Sequence, residues 1–168
     1  SSIFIFLEDF GPILYNQIRT GLNSKKFKIY KLRSMRVNSE KEGAMWAKTN
    51  DKRISKIGKI IRSTRIDELP QLWSVLQGKM SLIGPRPERP EFDEVLNKDI
   101  PFYDTRYSIK PGLSGWAQVN YPYGASIKDS AIKLSYELFY IRNQSFLLDI
   151  LILLKTIKLI INMQGSVP

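Results

Sequence analysis

From Phe27 to Arg33 apolar and basic residues alternate (Phe-Lys-Ile-Tyr-Lys-Leu-Arg), the period-two pattern of a half-buried strand. Upstream, Phe10-Gly11-Pro12 marks a turn, and Ile13-Leu14-Tyr15 begins a strand that ends near Gln17-Ile18-Arg19. Gly21 to Lys26 is a polar turn, so the two segments predict a hairpin. Residues 40–52 are polar and show no period. From Ile54 the spacing turns helical, with Ile54, Ile57 and Ile61 on one face and Lys56, Lys59 and Arg62 on the other. A second stripe, Leu69, Leu72, Trp73 and Leu76, predicts a helix that faces the core and ends at Gly78.

The prolines of Gly84-Pro85-Arg86-Pro87-Glu88-Arg89-Pro90 predict a stiff extended loop, because each fixes its own φ and restricts its predecessor. Pro90 opens a helix through Phe92, Val95 and Leu96. Lys110-Pro111-Gly112 signals a tight turn, Trp116 to Val119 a short strand, and Tyr121 to Gly124 a loop. Ile127 to Ile141 reads as a helix, and an apolar helix closes the chain. No linker, low-complexity tract or repeat divides residues 1–168. The expected fold is therefore α+β: one helix-rich domain with a small β-hairpin or sheet and amphipathic helices suited to a membrane surface.

Neither end predicts a membrane span. Ser1 to Leu7 is too short, and Phe146 to Ile161 is interrupted by Asp149, Lys155 and Lys158 and falls below the ~20 residues a spanning helix needs. Lys155, Lys158 and Asn162 share one face of that helix, which fits either core packing or a place on a bilayer surface.

Charge narrows the partners. Lys and Arg total 26 against 16 Asp and Glu, a formal net charge of +10. Phosphates, nucleic acid and anionic membranes are all candidates, beside a merely solvated basic surface. The chain has no Cys and no His. Thiol nucleophiles, disulfides and imidazole bases are thus excluded, and any metal is expected to be an oxygen-bound hard cation such as Mg²⁺ or Mn²⁺.

Arg62-Ser63-Thr64-Arg65-Ile66-Asp67-Glu68-Leu69-Pro70-Gln71 holds the most chemistry. Pro70 is tolerated in a first helical turn, so a helix is expected to start near Asp67. Asp67 then serves either as an N-cap or capping-box partner of Thr64, or as an ionised nucleophile or metal ligand exposed opposite the apolar stripe. Arg62, Arg65 and Arg86 are candidate phosphate-binding cations, since a guanidinium fork matches phosphate oxygens.

These residues are where the chain resembles a known family. The strings are Asp9-x-Gly11-Pro12 with Gln17-x-Arg19-x-Gly21; Lys31-Leu32-Arg33-Ser34-Met35; and Arg62-(x)4-Asp67-Glu68-Leu69-Pro70-Gln71-Leu72. They continue with Met80-Ser81-Leu82-x-Gly84-Pro85-Arg86-Pro87 and Lys110-Pro111-Gly112-Leu113-x-Gly115-Trp116-Ala117-Gln118-Val119-Asn120. In this order they resemble the bacterial sugar transferases, monotopic polyprenol-phosphate phosphoglycosyl transferases, over nearly the whole chain.

The resemblance implies transfer of a sugar-1-phosphate from a UDP-sugar to undecaprenyl phosphate, with release of UMP. It places this reaction at the first membrane step of exopolysaccharide, capsule, O-antigen or glycoprotein glycan synthesis. Asp67 would be the nucleophile, and Glu68 would help Asp67 hold Mg²⁺ (or Mn²⁺). Lys31, Arg33, Arg62, Arg65 and Arg86 would face phosphate. The expected partners are the UDP-sugar, undecaprenyl phosphate and the inner leaflet at the cytoplasmic face of the bacterial inner membrane, with no nucleic acid. The family carries a hydrophobic segment ahead of the Asp9-to-Gly11 region, where this sequence has Ser1 to Leu7; a lost N-terminal region is the expected explanation, leaving the chain soluble or peripheral. Trp116, Tyr121 and Tyr123 either line the sugar-nucleotide pocket or pack as aromatic core. The alternatives are a non-catalytic basic module for nucleic acid or membrane, and an inactive relative that only holds nucleotide.

Overall fold

The computed structural model describes residues 5–6, 8, 10–37, 39, 43, 45–46, 51–122, 124 and 126–163. The predicted hairpin is present. Strands β1 (Leu14–Thr20) and β2 (Lys26–Leu32) pair antiparallel with Leu14 opposite Leu32 and Thr20 opposite Lys26. Ile54 bridges to Met35 just before helix α1 (Lys56–Ser63), instead of lying on the helix as its spacing predicted. Two acceptors satisfy the orphan amides of that helix start: Ser55 Oγ accepts from Gly58 N–H at 2.9 Å and Glu8 Oε1 from Lys56 N–H at 2.8 Å.

Next comes a 3-10 segment (Ile66–Gln71) that runs into a short helix α2 (Leu72–Leu76), and a turn at Gly78, with φ +72°, follows. The predicted Leu69/Leu72/Trp73/Leu76 stripe exists, but it faces outward: these side chains are 53%, 38%, 58% and 79% exposed. Glu68, Gln71 and Ser74 are buried instead. The 3-10 winding explains the arrangement, because residues i and i+3 eclipse in it. Ile66, Leu69 and Leu72 therefore stack in one row, and Glu68, Gln71 and Ser74 in another.

Strand β3 (Ser81–Ile83) pairs in parallel with β4 (Gly112–Ser114). The expected tight turn at Lys110-Pro111-Gly112 is thus the entry to a strand. A Cβ on Gly112 would collide with the amide nitrogen of Gly84, so the two backbones cross at a distance only glycine allows. The expected strand at Trp116–Val119 is part of helix α4 (Trp116–Asn120); four residues are too few for either period to prevail.

The extended proline loop leads into helix α3 (Pro90–Asp99), and a 3-10 segment (Tyr103–Ser108) precedes β4. Helix α5 (Ile127–Arg142) opens with a Ser126/Asp129 capping box, and α6 (Phe146–Ile161) with Ser145 as its cap. Leu96, Ile100, Tyr103, Tyr107 and Leu134 form one apolar core, and Ile83, Tyr140 and Ile152 another. Helix α6 turns Ile152 inward, while Leu147, Leu154 and Ile161 stay exposed. Lys155 also faces inward, with its ammonium 4.7 Å from the Trp116 ring centroid. The architecture is α+β, with two small sheets among the described residues.

Candidate active site

The site is built where α1 ends and the chain reverses. Thr64 closes the helix by donating its hydroxyl to Ile60 O at 2.9 Å, and Arg65 then takes a left-handed conformation, φ +55°. Arg65, not Asp67, occupies the cap position, and no side chain caps this segment. Both capping roles considered for Asp67 are thereby set aside. The expected exposed α-helical start is also overturned, since Asp67 is 4% exposed and lies on a 3-10 turn. Its Oδ1 is buried and has no hydrogen-bond partner among the described residues.

Glu68 is 3% exposed and is held from two sides. Lys31 of β2 donates to Oε1 at 3.0 Å, and the Arg86 fork reaches the same oxygen with Nη2 and Oε2 with Nη1 at 3.4 Å. These contacts separate the two acids. Burial, reinforced by the neighbouring Glu68 charge, pushes the Asp67 carboxyl up to about 6 against the pull of Lys31, Arg62 and Arg86. Burial alone would raise Glu68 as well, but Arg86 and Lys31 outweigh it and hold that carboxyl well below the usual glutamate range. The Lys31 ammonium, desolvated but opposed by Glu68, falls to about 8. Asp67 is therefore harder to ionise than an exposed carboxyl, and Glu68 is the more firmly held anion of the two.

Arg86 comes from the proline loop, whose rigidity has a visible basis. Pro85 and Pro87 have no N–H to donate, so the loop is held by its carbonyls. Pro85 O accepts from Gly112 N–H at 2.8 Å, Arg86 O from Arg106 Nη2 at 2.7 Å and Pro87 O from Arg19 Nη1 at 3.0 Å. Glu88 O accepts from Thr20 N–H at 2.9 Å. Strand β1, strand β4 and the Tyr103–Ser108 turn each hold one part of it.

Between these elements lies a cavity of about 1050 Å³. Its lining includes Asp67 and Glu68 together with Lys31, Arg33, Arg62, Arg65 and Arg86, so the fold gathers every predicted site residue around one space. Arg33 is nevertheless buried and donates to Ile5 O at 3.0 Å. Tyr121 lines the cavity and donates to Asp129 Oδ1 at 2.9 Å. Trp116 takes the packing role, stacked on Phe139 with ring centroids 5.8 Å apart, and Tyr123 lies outside the described residues.

Sequence reasoning passed over Arg106 and Glu137, which also line the cavity. A signal for Glu137 existed: Leu134, Glu137 and Tyr140 recur every three residues on the buried side of α5, so a carboxylate sits in an apolar stripe. Nothing in the local sequence around Arg106 marks it.

Among the described residues, no group of three carboxylates converges to cage a metal. Asp67 Oδ1, buried and unpartnered, suits an oxygen-seeking cation whose remaining ligands come from substrate phosphates and water, the usual habit of Mg²⁺. Glu68 already serves two cations.

Residues 1–163 match the family described as bacterial sugar transferase. The chain is 47% identical, over 166 residues, to the UDP-N-acetylgalactosamine-undecaprenyl-phosphate N-acetylgalactosaminephosphotransferase of Aeromonas hydrophila, covering 99% of this chain and 39% of that protein. It is 56% identical over 105 residues to a putative undecaprenyl-phosphate N-acetylgalactosaminyl 1-phosphate transferase of Bacillus subtilis, covering 62% and 59% respectively. It is 39% identical over 149 residues to the UDP-glucose:undecaprenyl-phosphate glucose-1-phosphate transferase of Klebsiella pneumoniae, covering 88% and 32%. The chain thus spans between about a third and three fifths of the length of these relatives. With strings, cavity and matched length in agreement, the chain belongs to the bacterial sugar transferase family.

Proposed function

We propose that this chain carries the catalytic site for moving a sugar-1-phosphate from a UDP-sugar to undecaprenyl phosphate through a covalent intermediate on Asp67. The observation that carries the reading is the contrast within the acid pair. Asp67 offers a buried oxygen with no hydrogen-bond partner among the described residues, in a cation-lined cavity beside a Glu68 locked between Lys31 and Arg86.

In the first step an Asp67 carboxylate oxygen attacks the sugar-bearing phosphorus. The bond from that phosphorus to the bridging oxygen breaks, and UMP leaves with the electron pair. In the second step a phosphate oxygen of the lipid attacks the same phosphorus and releases the Asp67 carboxylate, giving the lipid diphosphate sugar. Lys31, Arg62, Arg65 and Arg86 supply positive charge around the transferring group. Glu68 fixes Lys31 and Arg86 in place. Asp67 and Glu68 would hold Mg²⁺ (or Mn²⁺) jointly with the substrate phosphates, and the bound ion would polarise the pyrophosphate.

Two features support a lipid acceptor. The outward row of Ile66, Leu69, Leu72 and Leu76 belongs to the same short segment as the acids, so an apolar face lies within a turn or two of the nucleophile. Exposed apolar residues also line α6, and no helix among the described residues is long and apolar enough to cross a membrane. Both suit docking on the inner leaflet, with the cavity at headgroup level.

The test uses the protein at the length its gene encodes, in native membranes, with a panel of UDP-sugars that includes UDP-N-acetylgalactosamine and UDP-glucose. One of them is expected to release UMP and to add one sugar-phosphate to the intact protein mass when acceptor is withheld. Asp67→Asn should abolish both signals. Adduct formation or turnover that survives this change would overturn the reading, as would a wild-type protein that binds UDP-sugar without turning it over.

A further inference from the structure

The buried pair Arg106 and Glu137 makes no hydrogen bond to Asp67 or Glu68 among the described residues, yet it holds Arg86 by its backbone carbonyl. Arg106 Nη2 donates to the Arg86 carbonyl at 2.7 Å and to Glu137 Oε1 at 2.8 Å. The Arg86 amide acts on the Glu137 carboxylate as well, opposing the rise that burial imposes on it. The other terminal nitrogen of Arg106 donates to Tyr103 Oη, and the Tyr103 ring lies beneath the guanidinium with its centroid at 4.8 Å. Arg106 and Glu137 are 6% and 5% exposed. Both terminal nitrogens of Arg106 are thus engaged by protein atoms, although the residue borders the cavity.

Such a pair is a poor way to gain stability, because two desolvated charges roughly cancel what they cost. It does give direction. Arg86 lies between two prolines that contribute no N–H, so its one N–H and one C=O are the handles through which its peptide orientation can be set. From that fixed backbone its side chain reaches Glu68.

We propose that Arg106 and Glu137 are positioning residues that act through the Arg86 backbone to aim its guanidinium at Glu68 and at the pyrophosphate of the substrate. The proposal rests on the reaction assigned above. A rotated Arg86 peptide would displace the guanidinium by an ångström or more, and misplacement on that scale costs about tenfold to a hundredfold in rate.

The test is a double-variant cycle in the gene-length protein, with every value expressed per folded molecule. Arg106→Lys keeps the charge but cannot fork to Glu137, Tyr103 and the Arg86 carbonyl together. It is expected to lower kcat for UMP release about tenfold to a hundredfold with KM little changed. Combined with Arg86→Lys it should add less than about twofold, because both changes remove one function. Glu137→Gln keeps an acceptor for Arg106 and should show the same non-additivity with a smaller loss, which preserves the test if Arg106→Lys does not fold. Full multiplication of the Arg106 and Arg86 effects would overturn the proposal. So would a lowered melting temperature with unchanged kcat. UDP affinity, read by calorimetry on the same variants, separates the two readings. If wild-type protein releases no UMP, the assigned reaction fails alone, and non-additive or additive losses of UDP affinity still decide whether Arg106 acts through Arg86.

Discussion

In helix α5 the inward side carries Leu134, Glu137 and Tyr140, while in the Ile66–Leu76 segment it carries Asp67, Glu68, Gln71 and Ser74. Both segments have regularly spaced apolar residues. In α5 the buried side is mainly apolar, with one charge matched by Arg106. In the segment holding the acids the relation is inverted, with Leu69, Trp73 and Leu76 left in contact with solvent. A polar row can be buried only if its charges are met, and here Lys31 and Arg86 meet Glu68. The apolar row then remains as a contiguous surface of the kind that marks an interaction face. The α5 arrangement makes a core, and the inverted one makes a site with an apolar rim.

The sharpest way to break this contrast is to remove the charge that justifies the inversion. Glu68→Gln leaves Lys31 and Arg86 near one another without the carboxylate that both of them contact. The expected cost is about 3–5 kcal/mol in urea unfolding, the scale of a broken buried ion pair. Leu134→Ala in α5 should cost a similar amount, about 2–5 kcal/mol, by a different route: an apolar cavity. pH tells the two apart. Because the Glu68 pKa is depressed in the folded protein, its contribution is present above the ordinary glutamate value and lost as pH falls through the folded one. The gap between Glu68→Gln and wild type should therefore shrink in acid, and the gap for Leu134→Ala should not. A wild-type midpoint for Glu68→Gln would dissolve the comparison.

Asp67→Asn, one residue away, should act in the opposite sense. The Asp67 carboxyl is raised from 3.8 to about 6, so between those values the folded protein holds a proton that the unfolded chain has released. Its burial therefore weakens the fold progressively as pH rises through that window, and fully above it. In EDTA at pH 7–8 the Asn variant is expected to be more stable than wild type by on the order of 2 kcal/mol, with the gain vanishing toward pH 4. Equal stability across the range would show that Asp67 carries no such strain. A stabilising change that abolishes transfer is the signature of a group kept for chemistry.

How much of this was legible beforehand follows from the same contrast. The hairpin, α1, α3, α5 and α6 follow from the spacing of apolar residues and, for α3, from Pro90 at its start. The family strings placed Asp67, Glu68, Lys31, Arg62 and Arg86 in one site, and the fold gathers them around one cavity. Helical counting failed at Ile66–Leu76 because it assumed that the apolar stripe meets the core and that the helix is α. The 3-10 winding and the ion pairs reverse both assumptions. Arg106 stayed hidden because its partners, Glu137 and the Arg86 carbonyl, are 31 and 20 residues away in sequence and meet only in the fold.

The smallest expected effect on folding is also the most telling about the apolar rim. Leu76 is 79% exposed, so Leu76→Ser removes little that the fold buries, and urea unfolding should shift by no more than about 0.5 kcal/mol. If the row is instead buried by a bilayer, the same leucine is worth about 1.5 kcal/mol or more in transfer, roughly tenfold in partition to vesicles. Sedimentation of the 168-residue chain with anionic phospholipid vesicles measures that ratio directly. A tenfold loss of vesicle binding with an unshifted unfolding midpoint would show that the row faces lipid. An unchanged partition would mean that the inversion serves only to bury Asp67 and Glu68, with the leucines left outside as its by-product.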